Sequence, residues 1–145
     1  MNNTTNLDRF LGPQESAFPQ ACRELAARRK EGHWMWYIFP QIRGLGSSVL
    51  STYYCIEGLA EAREYLAHPV LGQRLRQITV LLLILDETDP MKIFGWTDSL
   101  KLRSCMTLFA RAGGDDCFRQ VLDKYYQGQE DPLTLGILAR EGARQ

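Results

Sequence analysis

The side chains best suited to chemistry are concentrated in the segment HWMWYIFPQ, residues 33–41. This segment holds two of the chain's three tryptophans and one of its two histidines. A histidine can act as a general base near neutral pH, so we predict His33 as a catalytic residue. The alternative is a structural histidine whose ring nitrogens bond to nearby backbone groups.

The aromatic residues of this segment can stack on a flat ligand or pack in the core. Trp34, Trp36, Tyr37 and Phe39 follow one another so closely that their side chains point in different directions on a helix or on a strand. One core can therefore not receive them all. We predict that Trp34 stabilises the fold and that Trp36 faces a ligand.

Gln41 is a further candidate because of the proline that precedes it. Pro40 disfavours a helical backbone at Phe39, so we expect the chain to leave the aromatic segment in an extended form. The side-chain amide of Gln41 then offers both a donor and an acceptor to the edge of a ligand. The sequence therefore predicts Gln41 as a binding residue.

Residues from two later segments complete the predicted site. We expect the loop after residues 33–41 to meet a helix that is capped by Asp98, which would bring aromatic faces, an amide and a cation together. The predicted lining residues are His33, Trp36, Gln41, Tyr54, Lys101 and Ser104. Among them His33 is the catalytic candidate and the others are ligand-binding candidates.

Other kinds of site find little support in the sequence. The four cysteines form no CxxC pair and lie far from the histidines, so we predict neither a metal site nor a cofactor. No serine lies in a GxSxG motif. GLGSS, residues 44–48, has neither of the glycine spacings typical of phosphate loops, which favours a simple turn.

Length and composition describe one globular domain over residues 1–145, with 45% hydrophobic residues and a formal net charge of +0. The most apolar run, ITVLLLIL, is too short to cross a membrane. The first residues lack the features of a secretory signal. We therefore expect a cytoplasmic protein without a membrane partner, and the neutral charge disfavours nucleic acid as a partner.

The spacing of apolar residues is helical along most of the chain and predicts an all-α, compact, multi-helical single domain. We expect a short helix that ends at Gly12-Pro13 and a second helix that is capped by Ser16 and ended by Gly32. The one competing strand is WMWYIF, residues 34–39, whose aromatic and branched side chains suit a pleated surface.

Three segments in the same order, HWMWYIFPQIRGLG, EYLAHPVLG and FGWTDSLKLRSCMTLF, carry a family resemblance. From about Leu7 to Leu138 the chain resembles the domain-of-unknown-function family DUF1810, some of whose members are labelled calpastatin. The resemblance implies an all-helical single domain and no established activity. The motif positions are His33, Trp34, Trp36, Phe39, Pro40, Gln41, Gly44, Gly46, Tyr54, His68, Pro69, Gly72, Asp98, Lys101, Ser104 and Met106.

Two classes of function follow from these residues. The first is binding of a small anionic metabolite, nucleotide-like or ADP-ribose-like, with hydrolysis that uses His33. The alternative is a non-enzymatic protein-interaction module in which the aromatic segment is structural core and the protein partner is unknown. Binding of single-stranded nucleic acid is a third option, which needs exposed aromatics beside a basic groove.

Overall fold

Helices are the regular elements of the computed structural model, which describes residues 7–143. The elements are a 3-10 turn, Leu7–Phe10, and the helices α1 Leu11–Ala26, α2 Met35–Ile38, α3 Val49–Tyr53, α4 Leu59–Ala67, α5 Leu71–Ile84, α6 Pro90–Ala112, α7 Cys117–Tyr126 and α8 Pro132–Ala143. The predicted all-α, multi-helical single domain is confirmed. The ends of the predicted 1–145 domain, residues 1–6 and 144–145, lie outside the described residues.

The helix that was predicted to begin at a Ser16 cap starts earlier, at Leu11. α1 follows the turn Leu7–Phe10 directly, so that Gly12-Pro13 lies inside its first helical turn. Backbone N–H groups at this position have no acceptor within the helix, and a proline there costs no hydrogen bond. The predicted break at Gly12-Pro13 and the predicted cap at Ser16 are therefore wrong. α1 also ends before the predicted stop at Gly32, because Arg28 takes a left-handed backbone conformation with φ 61°.

The aromatic segment is helical, and the strand alternative for residues 34–39 is wrong. Met35–Ile38 forms the short helix α2. Trp34 is only 1% exposed, and its ring centroid lies 6.1 Å from that of Phe39, which is fully buried. Trp34 therefore packs in the core, as predicted. Beyond Pro40, the chain is extended and reaches the single β-bridge of the described residues.

That bridge closes the loop that carries most of the candidate site. The amide of Arg43 donates to the carbonyl of Ile56 over 2.8 Å, and the amide of Ile56 donates to the carbonyl of Gln41 over 2.8 Å. The guanidinium of Arg9 donates to the carbonyl oxygens of Tyr53 and Cys55, at 2.8 and 2.6 Å. Both ends of the loop are therefore fixed to the body of the protein.

α6 is the central helix and differs from the prediction at its start. It packs against α4, α7 and α8. Asp89 caps it by accepting the amide of Met91 over 2.9 Å, and Gly95 interrupts it with φ 80° and ψ 173°. Asp98 lies inside the helix, so its predicted role as the N-cap is wrong. Within residues 7–143, no helix combines the length and the hydrophobicity needed to cross a bilayer.

Candidate functional site

The largest part of the candidate site is a cavity of about 400 Å³ at the loop between α2 and α4. We call it the main cavity; its wall consists of Trp36, residues 41–47, Ser51, Thr52, Tyr54, Cys55 and Lys101. Four of the predicted site residues, Trp36, Gln41, Tyr54 and Lys101, are thus brought together from three parts of the chain. The loop turns at Gly44, whose φ of 102° is a conformation that favours glycine.

Gln41 has an unusual environment in this wall. The bridge to Ile56 fixes its backbone, and the residue is only 8% exposed. Its amide nitrogen, Nε2, is buried and has no hydrogen-bond partner among the described residues. A buried polar group without a partner costs about 1–3 kcal/mol, so such groups are uncommon in native proteins.

Two aromatic side chains form the flat surfaces of the main cavity. Trp36 is half-buried, and Tyr54 is held by a group of neighbouring rings. The ring centroid of Tyr54 lies 4.8 Å from that of Tyr53, 5.2 Å from that of Tyr37 and 5.7 Å from that of Phe10. Burial, and then the nearby tyrosines, raise the pKa of Tyr54, so its hydroxyl stays neutral and can donate a hydrogen bond.

Lys101 supplies the cation, and its position depends on Asp98. The ammonium of Lys101 lies 3.2 Å from one carboxylate oxygen of Asp98, while that of Lys30 lies 2.8 Å from the other. Burial raises the pKa of Asp98, but the hydrogen bonds and charges of the two lysines outweigh it and lower that pKa. The Lys101 ammonium also lies 4.2 Å from the ring centroid of Trp36, which is a cation–π contact.

His33 lies beside the main cavity rather than in its wall. It lines a second hollow of about 270 Å³, the His33 recess, whose other lining residues are Lys30, Met35, Trp36, Leu50, Asp98 and Lys101. Its side chain is exposed and makes no hydrogen bond to any residue in the described part of the chain. The main cavity and the His33 recess meet at Trp36 and Lys101, which line both.

Ser104 lies apart from the other five predicted residues. Its hydroxyl is buried and donates to the carboxylate of Asp131 over 2.8 Å. That carboxylate also accepts the backbone amide of Thr134 over 3.2 Å, at the start of α8. Ser104 is not among the residues that line the main cavity or the His33 recess. Its place in the predicted cleft is therefore not supported, because its hydroxyl is used to hold the cap of α8.

Sequence reasoning missed Glu24, which positions the whole segment. Its Oε1 atom accepts the backbone amides of Glu31 and Gly32 and the indole N–H of Trp34, over 2.8, 2.9 and 2.9 Å. Burial raises the pKa of Glu24, but these donors, together with Gln20, lower it to about 2. No sequence signal points to this role, because an acidic residue on an exposed helical face is ordinary.

Among the described residues, no group of three or more His, Cys, Asp or Glu could hold a metal ion.

The comparison with solved structures agrees with the fold. The crystal structure of the conserved hypothetical protein Rv1873 from Mycobacterium tuberculosis matches with a TM-score of 0.92. It shares 46% sequence identity, and the match covers 94% of this chain and 99% of that chain.

No curated protein matches the sequence. The family model described as "Protein of unknown function (DUF1810)" matches residues 4–138, which include the aromatic segment and the whole main cavity. The chain therefore belongs to the DUF1810 family.

Proposed function

We propose that the main cavity binds a small, flat, anionic metabolite that is nucleotide-like or ADP-ribose-like. The observation that carries this proposal is the buried amide of Gln41, whose nitrogen has no partner among residues 7–143 although the residue lines a cavity. The terminal torsion of a glutamine is broad and roughly two-fold, so a small rotation can turn the amide toward a ligand. Binding would then remove the cost of the unpaired donor.

The other wall residues suit the same class of ligand. Trp36 and Tyr54 offer faces on which a flat ring can stack, and Lys101 offers a charge to an anionic group. The volume of about 400 Å³ lies within the range of about 300–1,000 Å³ that is usual for small-molecule sites. Size and chemistry therefore suit a ligand whose nucleotide-sized part occupies this cavity.

The alternative function, a protein-interaction module, has one observation in its favour. Val49, Leu50 and Tyr53 of α3 are 84, 51 and 54% exposed, which makes an apolar surface beside the main cavity. An interaction module of this kind requires the aromatic segment to be buried in the core, but the side chains of Trp36 and His33 are accessible to solvent. We therefore keep metabolite binding as the first proposal. Nucleic acid remains the least favoured partner, since the formal net charge is +0.

Hydrolysis of the bound metabolite is the second part of the proposal. His33 would accept a proton from a water molecule that attacks the ligand, and would pass that proton to the leaving oxygen. Support comes from its free ring nitrogens and from the contact between the His33 recess and the main cavity at Trp36. His33→Ala should then stop product formation, as measured by chromatography of the reaction products.

Thermal-shift measurements with nucleosides, nucleotides and ADP-ribose test the binding itself. A ligand at about 100 times its Kd adds about 2.7 kcal/mol to stability, which raises Tm by several degrees in a domain of this size. Trp36→Ala and Lys101→Met should lose this shift. The matched controls Trp96→Ala and Lys92→Met change exposed residues outside the wall and should keep it. If none of these compounds stabilises the wild-type protein, the proposal is wrong.

A cytoplasmic location is also proposed. It is supported by the four cysteines, Cys22, Cys55, Cys105 and Cys117, which are all free thiols. Free thiols are usual in a reducing compartment. Fractionation of cells that produce the protein tests this location, and recovery from an extracytoplasmic fraction would contradict it.

A further inference from the structure

The His33 recess has a shape and a charge of its own. It is smaller than the main cavity, at about 270 Å³, and the two hollows share Trp36 and Lys101 as lining residues. Leu50 of α3 lines the recess and is 51% exposed. The recess therefore adjoins the main cavity at the pair formed by Trp36 and Lys101.

Cations outnumber anions around this recess. The ammonium groups of Lys30 and Lys101 share the carboxylate of Asp98, so that two positive charges face one negative charge and leave one net positive charge. The whole chain has a formal net charge of +0, so the positive charge is a local property of the recess.

The two lysines are not equally available to a ligand. The side chain of Lys30 is 7% exposed and also donates to the carbonyl of Gly32, so it is committed to the protein. The side chain of Lys101 is 23% exposed and lies at the boundary of both hollows. An anion in the recess can therefore contact Lys101 and His33 while the pair of Lys30 and Asp98 stays intact.

We propose that the His33 recess is an anion subsite that holds the phosphate of a ligand whose ring lies in the main cavity. This inference rests on the proposed function and narrows the ligand to a nucleoside phosphate. The ring would contact Gln41 and Tyr54, and the phosphate would lie beyond Trp36. A free nucleobase or nucleoside would leave the recess empty. Inorganic phosphate would lack the aromatic and amide contacts.

The test compares each of the four common nucleosides with its 5′-monophosphate and 5′-diphosphate by calorimetric titration at low salt. The measured quantity is the phosphate increment, which is the Kd of the nucleoside divided by the Kd of its phosphate. For the base that binds best, the increment should be about ten or more, since a charge-assisted contact contributes about 1.5–3 kcal/mol. His33→Gln should reduce the increment.

A charge-reversal pair at Leu50 locates the phosphate. Leu50→Lys should raise the increment by about three-fold and Leu50→Glu should lower it by a similar factor, because unit charges at this range interact by a fraction of 1 kcal/mol in water. Val80→Lys and Val80→Glu are the matched controls: Val80 is 46% exposed on α5 and lines neither hollow. These controls should leave the increment unchanged.

The outcomes separate this inference from the proposed function. A nucleoside that binds without any increment, or an increment that does not respond to the charge at Leu50 or to His33→Gln, would overturn the anion subsite but leave binding in the main cavity intact. If no nucleoside and no nucleotide binds the wild-type protein, both proposals fall. An increment that follows the sign of the charge at Leu50 and not at Val80 supports the subsite.

Discussion

The amide nitrogen of Gln41 is enclosed by protein, yet no acceptor among the described residues lies within hydrogen-bond distance. The hydrogen bonds of the carbonyl of Gln41 and the amide of Arg43 to Ile56 fix the backbone at this position, so the side chain starts from a fixed point in the wall. An apolar residue of the same length would avoid the cost of the unpaired donor. At this position, an apolar side chain would favour stability, whereas the amide would favour ligand binding.

Gln41→Met tests this opposition directly. Methionine keeps the length of the side chain and removes both polar groups, so we expect the free energy of unfolding to rise by about 1 kcal/mol. The same change should abolish binding of the ligand. Urea denaturation measures the first effect and calorimetric titration the second. Gln73→Met, at an exposed position on α5, is the control and should change neither. A Gln41→Met protein that is less stable and still binds would refute this account.

Ser104 leads to the reverse prediction. Its hydroxyl donates to Asp131, which caps α8, so Ser104→Ala should lower the free energy of unfolding by about 1–2 kcal/mol. Ligand affinity should not change, because the residue lines neither hollow. Urea denaturation and titration of the same variant measure both effects. A large loss of affinity without a loss of stability would show that the sequence placed Ser104 correctly in the site.

At the scale of single residues, the sequence predicted side chains whose chemistry is visible in their type. Trp36 and Tyr54 offer aromatic faces, Gln41 an amide and Lys101 a cation. The structure brings these four side chains together in one cavity wall. Ser104 has the same polar character, but its partner is Asp131, which lies 27 positions further along the chain. The choice between ligand and protein as partner depends on tertiary contacts, which residue types alone do not contain.

Among the elements, the link between α1 and α2, residues 27–34, is held mainly by one side chain. Glu24 of α1 accepts three N–H groups from Glu31, Gly32 and Trp34. It therefore fixes the segment on which His33 lies. The backbone amide of Lys30, in the same link, donates to the carbonyl of Ile93 of α6 over 2.8 Å, which ties the link to that helix.

Glu24→Gln should weaken this link. The neutral amide keeps one acceptor oxygen but loses the charge that strengthens all three hydrogen bonds, so we expect a loss of about 1–3 kcal/mol in the free energy of unfolding. Hydrogen exchange should be faster at the amides of Glu31 and Gly32 than in the wild type. Glu31→Gln changes an exposed neighbour and is the control for the change in charge. Unchanged exchange at Gly32 would contradict the role assigned to Glu24.

The elements were predicted well where apolar spacing decided them and less well at their ends. The stripe Leu71, Leu75, Ile78 and Leu82 is the buried face of α5. The end predicted at Gly12-Pro13 was wrong because a proline in the first turn is compatible with a helix. The helix start predicted at Asp98 was wrong, because the carboxylate of Asp98 pairs with two lysines and not with the backbone amides of a helix end. Helix ends depend on such individual contacts.

In the molecule as a whole, the helices hold an irregular loop, residues 43–55, between three supports. The β-bridge between Ile42 and Ile56 closes its two ends, the Arg9 guanidinium binds its second half, and Lys101 of α6 faces the cavity that it encloses. The loop therefore needs no regular structure beyond the short helix α3, Val49–Tyr53. This arrangement explains why the helical pattern of the sequence indicated the scaffold but could not give the shape of the cavity.

Carboxylates with lowered pKa values make the stability of the whole molecule depend on acid pH. Hydrogen bonds from Arg111, and then from Arg119, lower the pKa of Glu130. For Glu24 and Asp98, burial raises the pKa, but the hydrogen bonds to their carboxylates outweigh burial and lower it. A group whose pKa is lower in the folded than in the unfolded state stabilises the fold above its unfolded pKa. That contribution is lost as the pH falls through the folded pKa.

We therefore expect the free energy of unfolding to be nearly constant from pH 6 to 8 and to fall between about pH 5 and pH 2, where Glu24 takes up its proton. Urea denaturation across this range measures the slope. Glu24→Gln should lie below the wild type at pH 7 and approach it as the pH falls toward 2, because about half of the wild-type carboxyl groups are then neutral as well. Glu130→Gln should also lie below the wild type at pH 7, and its difference should shrink in acid, because the pKa of Glu130 is lowered in the same direction. Glu31→Gln should run parallel to the wild type. If the free energy of unfolding of Glu24→Gln differs from that of the wild type by the same amount down to pH 2, the charge of Glu24 does not hold the link between α1 and α2.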